Sequence, residues 1–163
     1  MSEAAEALVR ERLAGIGVDY EIVPCDESLA DTAAFCAAYG YAPEDSANTI
    51  IVAGKSDPPR YAACVLLAST RLDVNRAVRA KLATRKASFA SAEETKALTG
   101  MAIGGVTPIG LPDGLPLYLD AAVLGRERIV LGGGSRACKV VAPPQVLTAL
   151  GAEVVEGLAR PLG

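Results

Sequence analysis

Hydrophobic residues recur at two different spacings along the chain, and the changes of spacing predict helices and strands in alternation. In residues 3–15 the apolar positions fall three and four apart, as they do on one face of a helix, and glycines follow. A second helical pattern covers residues 29–39 and ends at Gly40. Three further patterns predict a helix over residues 74–83 capped by Asp73, one capped by Ser91 and Glu94, and one after Pro143 and Pro144 that Gly151 stops.

Strand patterns lie between the predicted helices. Residues 49–53 and 61–67 are apolar runs separated by a turn signature at residues 54–59, so they predict a hairpin. Shorter strand candidates are residues 19–23, 115–119, 128–131, 138–141 and 153–155. Short strands interleaved with helices, with at least one hairpin, predict a mixed-sheet α+β fold rather than a doubly wound one. The length of 163 residues predicts one domain over residues 1–163.

Composition narrows the classes of chemistry. The chain has no histidine, which excludes Ser-His and Cys-His nucleophilic catalysis and histidine-ligated zinc. The four cysteines lack C-x-x-C spacing and are predicted to be structural, and neither a metal nor a cofactor is expected. No apolar run approaches the ~18 residues that span a bilayer, and the N-terminus is acidic, so we expect a cytoplasmic protein without a membrane partner.

The run from Gly100 to Gly110 is the strongest functional signal in the chain. Its Gly104-Gly105 pair precedes Val106, Thr107 and Pro108 and leaves peptide N–H groups unshielded by side chains. Such a loop can hold a carbonyl, a carboxylate or a developing oxyanion by its main chain. The alternative is a tight turn between two strands.

Several segments, in order, resemble one known family. They are Asp31-Thr32-Ala33-Ala34 through Gly40, the strand Thr49-Ile50-Ile51-Val52, Lys86 through Ala90, Leu98-Thr99-Gly100, the loop Gly104-Gly105-Val106-Thr107-Pro108-Ile109-Gly110, Asp120, and Gly132-Gly133. This order is similar to the YbaK/EbsC family of free-standing aminoacyl-tRNA deacylases, which is related to the editing insertion of bacterial prolyl-tRNA synthetases. The resemblance implies that family's fold, a mixed and partly barrel-like β-sheet surrounded by helices.

The resemblance also implies roles for individual residues. Asn48, Gly104 and Gly105 would form the catalytic centre, where backbone donors stabilise the oxyanion. Asp120 would receive the α-amino group of the substrate, although a helix or turn cap is an equal alternative for it. The remaining implied substrate contacts are Thr49, Val106, Thr107, Pro108, Gly132, Gly133 and Cys138.

One position departs from the family pattern. The residue before the Thr-Ile-Ile strand, typically a lysine in the deacylases, is Asn48 here. Loss of that charge-assisted contact forfeits about 1.5–3 kcal/mol. Lys55 lies in the hairpin turn and is expected to be solvated, while Lys139 could replace the lysine only if strand alternation aims it at the pocket.

Charge is unevenly distributed. The net charge is −3, but residues 71–86 hold six basic residues against one acidic residue, a net +5 that leaves −8 for the rest. Candidate RNA contacts in this segment are Arg71, Arg76, Arg79 and Lys86, which could bind acceptor-stem phosphates or form a solvated helix face.

The resemblance implies three possible functions, which stay open at this point. The first is a trans-editing hydrolase that removes a small amino acid such as cysteine or alanine from tRNA, with tRNA(Pro) as the expected tRNA. The second is a catalytically silent binder of aminoacyl-tRNA or of an aminoacyl-adenosine-like ligand, because Asn48 replaces the lysine. The third is a structural partner of a synthetase. The expected partners are the acceptor end of aminoacyl-tRNA and a prolyl-tRNA synthetase.

Overall fold

The fold mixes five short helices with ten strands in the computed structural model, which describes residues 2–162. The α-helices are α1 (Ser2–Ile16), α2 (Thr32–Tyr39), α3 (Arg79–Leu82), α4 (Ala92–Thr99) and α5 (Gln145–Ala149). The strands are β1 (Glu21–Pro24), β2 (Ala47–Gly54), β3 (Arg60–Leu67), β4 (Thr70–Leu72), β5 (Ala87–Phe89), β6 (Leu117–Asp120), β7 (Ile129–Gly132), β8 (Cys138–Ala142), β9 (Glu153–Val155) and β10 (Ala159–Pro161). The predicted α+β class is confirmed.

The largest sheet is mixed, with the strand order β5-β2-β3-β6-β9. The predicted hairpin forms its centre, and β2 and β3 pair antiparallel over their whole length, with Asn48 opposite Leu66. β6 runs parallel to both of its neighbours, β3 and β9. Parallel neighbours need long crossover connections, which here carry the helices and the glycine-rich loop that follows α4.

Two smaller sheets complete the fold. β8 lies between β1 and β7 in a three-stranded antiparallel sheet, and β4 pairs with β10 in a two-stranded one. A single bridge between Ser46 and Val130 connects the largest sheet to the three-stranded sheet. This connection brings β2 close to β7, and the space beside it holds the candidate site.

The core is divided between the two faces of the largest sheet. Neighbouring residues of β3 point to opposite faces, so Val65 packs in one apolar cluster and Leu66 in the other. Leu13 of α1 and Leu147 of α5 cover the first face, and Leu82 of α3 covers the second. Burial on both faces explains why the β3 sequence is a continuous apolar run rather than an alternating one.

Helix ends follow the predicted caps. Ser91 accepts the amide of Glu94 while the Glu94 carboxylate accepts the amide of Ser91, which is the reciprocal capping box. The Asp73 carboxylate accepts the Arg76 amide, as expected of a cap. The helix after it differs from the prediction, because residues 74–78 form a wide π turn before α3 begins.

Other differences from the sequence prediction concern short elements. β4, β5 and β10 were not predicted, and each is only three residues long. A 3₁₀ turn at Glu27–Leu29 delays the start of α2 to Thr32. Within residues 2–162, no helix combines the length and apolarity needed to span a membrane.

Candidate functional site

A cavity of about 350 Å³ lies between β2, β7, α2 and the glycine-rich loop; we call it the first cavity. Five of the residues that the resemblance implicates line it: Asn48, Thr49, Gly104, Val106 and Gly132. The cavity is at the lower end of the ~300–1,000 Å³ typical of small-molecule sites. Residues 100–110 were predicted to form either a ligand-binding loop or a tight turn between two strands, and the loop borders a cavity.

The carbonyl groups at the start of the loop are all held by donors. Arg136 donates to Ile103 O at 2.9 Å, and Lys139 Nζ donates to Gly104 O at 2.8 Å. The Gly134 amide donates to Gly105 O at 2.9 Å. Three successive carbonyls are therefore fixed to the segment around β8, which sets the orientation of the peptide planes between them.

The amide groups of the same loop are only partly used. The Gly105 N–H donates to Ala102 O at 2.9 Å and closes a turn. Within residues 2–162, the amides of Gly104 and Val106 have no hydrogen-bond acceptor, and both residues line the first cavity. Two backbone donors beside a hollow make an arrangement that can bind an oxyanion or a carbonyl oxygen.

Close approach explains why glycine occupies two positions of the site. A Cβ at Gly132 would lie 2.1 Å from Val106 O, which is backbone and cannot swing away. Gly104 has a φ of 92°, and a Cβ there would lie 2.2 Å from Arg136 Nη1. A side chain at Gly132 would displace the loop that borders the first cavity, and one at Gly104 would strain the backbone and push the Arg136 guanidinium away.

Lys139 supplies a cation to the first cavity. It lies in β8 and lines the cavity, although only 7% of its surface is exposed. Its ammonium group is 5.7 Å from the centroid of the Phe35 ring, a cation–π contact. From the sequence, a role for Lys139 depended on strand alternation. The structure places Lys139 in the lining of the same cavity as Asn48, the position of the family's lysine.

Burial changes the acidity of this ammonium group. Desolvation lowers the pKa of Lys139 from its usual 10.5, and the Arg136 charge lowers it further, while Asp31 and nearby thiols oppose the shift. Asp31 itself is paired with Arg136 at 3.1 Å. Since Lys139 forms no salt bridge within the described residues, its charge is not neutralised and is available to an anionic ligand.

Asn48 and Thr49 contribute polar groups at the start of β2. The Asn48 Oδ1 atom accepts a hydrogen bond from Thr32 Oγ1 at 2.7 Å, which fixes the amide group. The Thr49 hydroxyl is buried and, within residues 2–162, has no hydrogen-bond partner. Buried polar groups are nearly always paired, so the Thr49 hydroxyl is an exception among the residues that line the first cavity.

The other implicated residues lie behind the cavity wall or elsewhere. Thr107 is fully buried and its hydroxyl accepts the Ile109 amide; Pro108 is also buried. Gly133 packs against Cys138, whose thiol contacts Gly133 O at 3.6 Å. None of these four residues lines the first cavity.

Asp120 lies away from the first cavity at the end of β6. It is 3% exposed, and its carboxylate accepts the Ala159 amide at 3.2 Å. The carboxylate makes no cap hydrogen bond to the 3₁₀ turn that follows it. Asp120 therefore joins β6 to the start of β10, and it is not among the residues that line the first cavity.

The cysteines are free thiols. Burial raises the pKa of Cys25, Cys36 and Cys138, and it raises the pKa of Cys64 to about 12. All four are therefore protonated at neutral pH, which opposes a nucleophilic role.

A second cavity, of about 630 Å³, is more open and lies beside β4, β5 and β10. It is lined by Arg71 and Arg76, as well as by Arg160, which the sequence did not single out. The other two RNA-contact candidates are elsewhere: the Arg79 guanidinium donates to Asn75 O and Thr84 O, and Lys86 is exposed outside the cavity.

Comparison with known proteins identifies the family and the fold. Residues 26–150 match the sequence model of the aminoacyl-tRNA editing domain. The fold is similar to a candidate trans-editing enzyme for prolyl tRNA synthetase, with a TM-score of 0.79 and 26% identity over 98% of both chains. It is also similar to the hypothetical protein APE2540, with a TM-score of 0.81 and 26% identity over 93% of this chain and 99% of the other. The resemblance seen in the sequence is confirmed, and the chain belongs to the family of aminoacyl-tRNA editing domains.

Proposed function

We propose that the first cavity hydrolyses the ester bond between a small amino acid and the 3′-terminal ribose of tRNA. The observation that carries this proposal is that the amide groups of Gly104 and Val106 have no hydrogen-bond acceptor within the described residues and lie beside the first cavity. The same cavity also holds the buried ammonium group of Lys139. Family membership supplies the substrate class, an aminoacyl-tRNA. The reaction takes place in the cytoplasm, where aminoacyl-tRNA is formed and used.

The chemistry needs little from side chains because an aminoacyl ester is already activated. A water oxygen attacks the acyl carbon, and the carbonyl oxygen gains negative charge, which the amides of Gly104 and Val106 stabilise. The attacking water loses its proton to the substrate's own neutral α-amino group, directly or relayed through the vicinal hydroxyl, since no described side chain beside the loop is a free general base. The bond from the acyl carbon to the ribose oxygen then breaks, and the ribose oxygen takes up the proton that the α-amino group received.

Lys139 and the start of β2 position the substrate. The Lys139 ammonium binds the 5′-phosphate of the terminal nucleotide. Lys139 thereby supplies the charge of the family's lysine, whose position is occupied by Asn48 here. The unpaired Thr49 hydroxyl and the Asn48 amide donate to the ribose or the ester. The Gly105 amide closes the turn by donating to Ala102 O, and the buried residues Thr107 and Pro108 hold the shape of the loop.

The size of the first cavity supports a small aminoacyl group. Alanine or cysteine is the substrate we propose, since the terminal nucleotide already occupies much of 350 Å³. One methylene changes binding by only ~1–3 kcal/mol, so larger amino acids must be excluded sterically. The similarity to a candidate trans-editing enzyme for prolyl tRNA synthetase favours tRNA(Pro) and a prolyl-tRNA synthetase as partners.

The test is a deacylation assay on a panel of tRNAs charged with alanine, cysteine, serine or proline. We expect release of alanine or cysteine above the buffer rate and little release of proline. Lys139→Met should lower the rate about ten- to a hundredfold, which corresponds to the 1.5–3 kcal/mol of a charge-assisted hydrogen bond. Lys55→Met is the matched control, because Lys55 is exposed and lines neither cavity, and it should leave the rate unchanged.

The alternative is a silent binder, which the Asn48 substitution favours. It predicts that the wild-type protein binds aminoacyl-tRNA but hydrolyses no member of the panel. If the wild-type protein hydrolyses the ester and Lys139→Met hydrolyses it equally fast, the role of Lys139 is wrong although the proposed activity stands.

A further inference from the structure

The second cavity has the charge of an anion-binding site. Three arginine side chains, Arg71, Arg76 and Arg160, line it, and Asp73 is the one carboxylate among its lining residues. The two Asp73 oxygens are already used, since one accepts the Arg76 amide and the other pairs with Arg160 Nη2 at 2.9 Å. Within residues 2–162, the guanidinium groups of Arg71 and Arg76 have neither a carboxylate nor a carbonyl partner.

Two of these charges face each other directly. Arg71 of β4 and Arg160 of β10 are partners in the antiparallel register, and directly opposed residues project from the same side of a ribbon. Like charges at such positions repel, and Asp73 offsets only one of them. A ligand with a delocalised negative charge, such as a phosphodiester, would bind between them and relieve the repulsion.

Phe89 connects the second cavity to the first. It is the last residue of β5 and lines both cavities, and 58% of its surface is exposed. Ile103, which is 52% exposed, also lines the first cavity. An exposed ring at the border of a cationic groove is the arrangement that single-stranded nucleic acids use, with a base stacked on the ring and the backbone along the charges.

Building on the proposed function, we propose that the second cavity is a subsite for the single-stranded 3′ end of tRNA. The terminal nucleotide lies in the first cavity with its 5′-phosphate at Lys139. The next nucleotide stacks on Phe89, and the phosphodiester beyond it binds Arg71, Arg76 and Arg160. The second cavity thus recognises the backbone and the single-stranded character of the RNA, and its binding does not depend on the rest of the tRNA.

Two substrates of different length test the subsite. One is the full aminoacyl-tRNA, and the other is adenosine 5′-monophosphate aminoacylated on its ribose, which fills only the first cavity. Arg71→Gln, Arg160→Gln and Phe89→Ala should each raise KM for the tRNA about tenfold with little change in kcat. Arg71→Gln and Arg160→Gln, which do not touch the first cavity, should hydrolyse the short substrate at the wild-type kcat/KM, whereas Phe89→Ala is judged on the tRNA alone because Phe89 also lines the first cavity.

The control and the salt dependence complete the test. Arg12→Gln removes an exposed arginine of α1 that lines neither cavity, and its KM for the tRNA should stay at the wild-type value. The slope of log affinity against log salt should fall by about one for each phosphate-binding arginine removed. Equal losses on both substrates, or no loss on the tRNA, would overturn the subsite.

The outcome also separates this inference from the proposed function. If wild type hydrolyses neither substrate, the proposed hydrolysis is wrong, and the subsite is judged by direct binding of uncharged tRNA. Binding that weakens in Arg71→Gln and Phe89→Ala, but not in Arg12→Gln, would still support the subsite. Binding that all four proteins share would reject it.

Discussion

The two cavities both carry positive charge, but they differ in how far that charge is removed from water. In the first cavity a single ammonium, Lys139, is almost fully buried and is fixed by Gly104 O and the Phe35 ring. In the second, Arg71, Arg76 and Arg160 are exposed. A buried charge interacts strongly with a ligand and is little screened by salt, whereas exposed charges attract from a distance and are screened. The first cavity is therefore suited to positioning an ester, and the second to attracting RNA.

The largest expected effect comes from closing the first cavity while the second stays intact. Gly132→Ala places a Cβ against Val106 O, where 2.1 Å is available, so the loop must move. A displacement of about 1 Å costs roughly a hundredfold in rate, and we expect deacylation to fall by at least that much while tRNA binding falls little. Gly125→Ala, which meets no atom within 4 Å, is the control for both the rate and the melting temperature. A fully active Gly132→Ala protein would contradict the role of the loop.

The next effect moves the charge within the first cavity. In Lys139→Met, the additional change Asn48→Lys returns an ammonium to the position that the family's lysine occupies. We expect it to recover about tenfold of the lost rate, because the charge matters more than its tether to Gly104 O. The measurement is kcat/KM on the same aminoacyl-tRNA for the single and double variants. No recovery would show that Lys139 acts by holding the loop.

The pH dependence should distinguish the two cavities by a similar factor. Because desolvation lowers the pKa of Lys139, its ammonium loses the proton at a lower pH than an exposed lysine does. The affinity for adenosine 5′-monophosphate should fall about tenfold as the pH rises through that lowered pKa, and Lys139→Arg should move the fall to higher pH. The arginines of the second cavity stay charged throughout this range.

The same shift affects the free energy of unfolding with a definite sign. Between the lowered pKa and 10.5, the unfolded chain holds a proton on Lys139 that the folded chain has released. The contribution of Lys139 to stability therefore rises with pH in that window. Lys139→Met should lack this contribution when the two proteins are compared by urea unfolding at several pH values.

The smallest expected effect is on stability at the second cavity. Arg71→Gln removes a like charge opposite Arg160 and should raise the free energy of unfolding by about 0.2–0.5 kcal/mol at low salt. Urea unfolding with and without added salt measures it, since salt should reduce the gain. An Arg71→Gln protein that is less stable than wild type would show that repulsion between Arg71 and Arg160 does not destabilise the fold.

Local patterns allowed the main elements to be predicted. The hairpin of β2 and β3 has strong apolar runs and a clear turn, and the Ser91–Glu94 capping box depends on residues three apart. β4, β5 and β10 have only three residues each, too few to show a period, and they lack the paired valines that made the equally short β9 predictable. Their pairing depends on distant partners, and so does the second cavity that they border.

The candidate site was harder to predict because its members meet only in the folded chain. The glycine-rich loop was visible in the sequence. The hydrogen-bond donors that hold the carbonyl groups of this loop are Gly134, Arg136 and Lys139, and no pattern in the sequence connects them to it. A lysine inside the apolar strand Cys138–Ala142 was the available signal for Lys139, since an isolated buried charge is costly. For Asp120 the sequence offered no such signal. Its hydrogen-bond partner Ala159 lies 39 residues away, and nothing near Asp120 in the sequence indicates that contact.

The position of Phe89 between the two cavities has a practical consequence. The chain contains no tryptophan, so Phe89→Trp would introduce a single indole at the border that both cavities share. Its emission would report when RNA arrives and when the acylated end is seated, as two optical phases in a stopped-flow trace. Recruitment and hydrolysis could then be timed separately in one molecule.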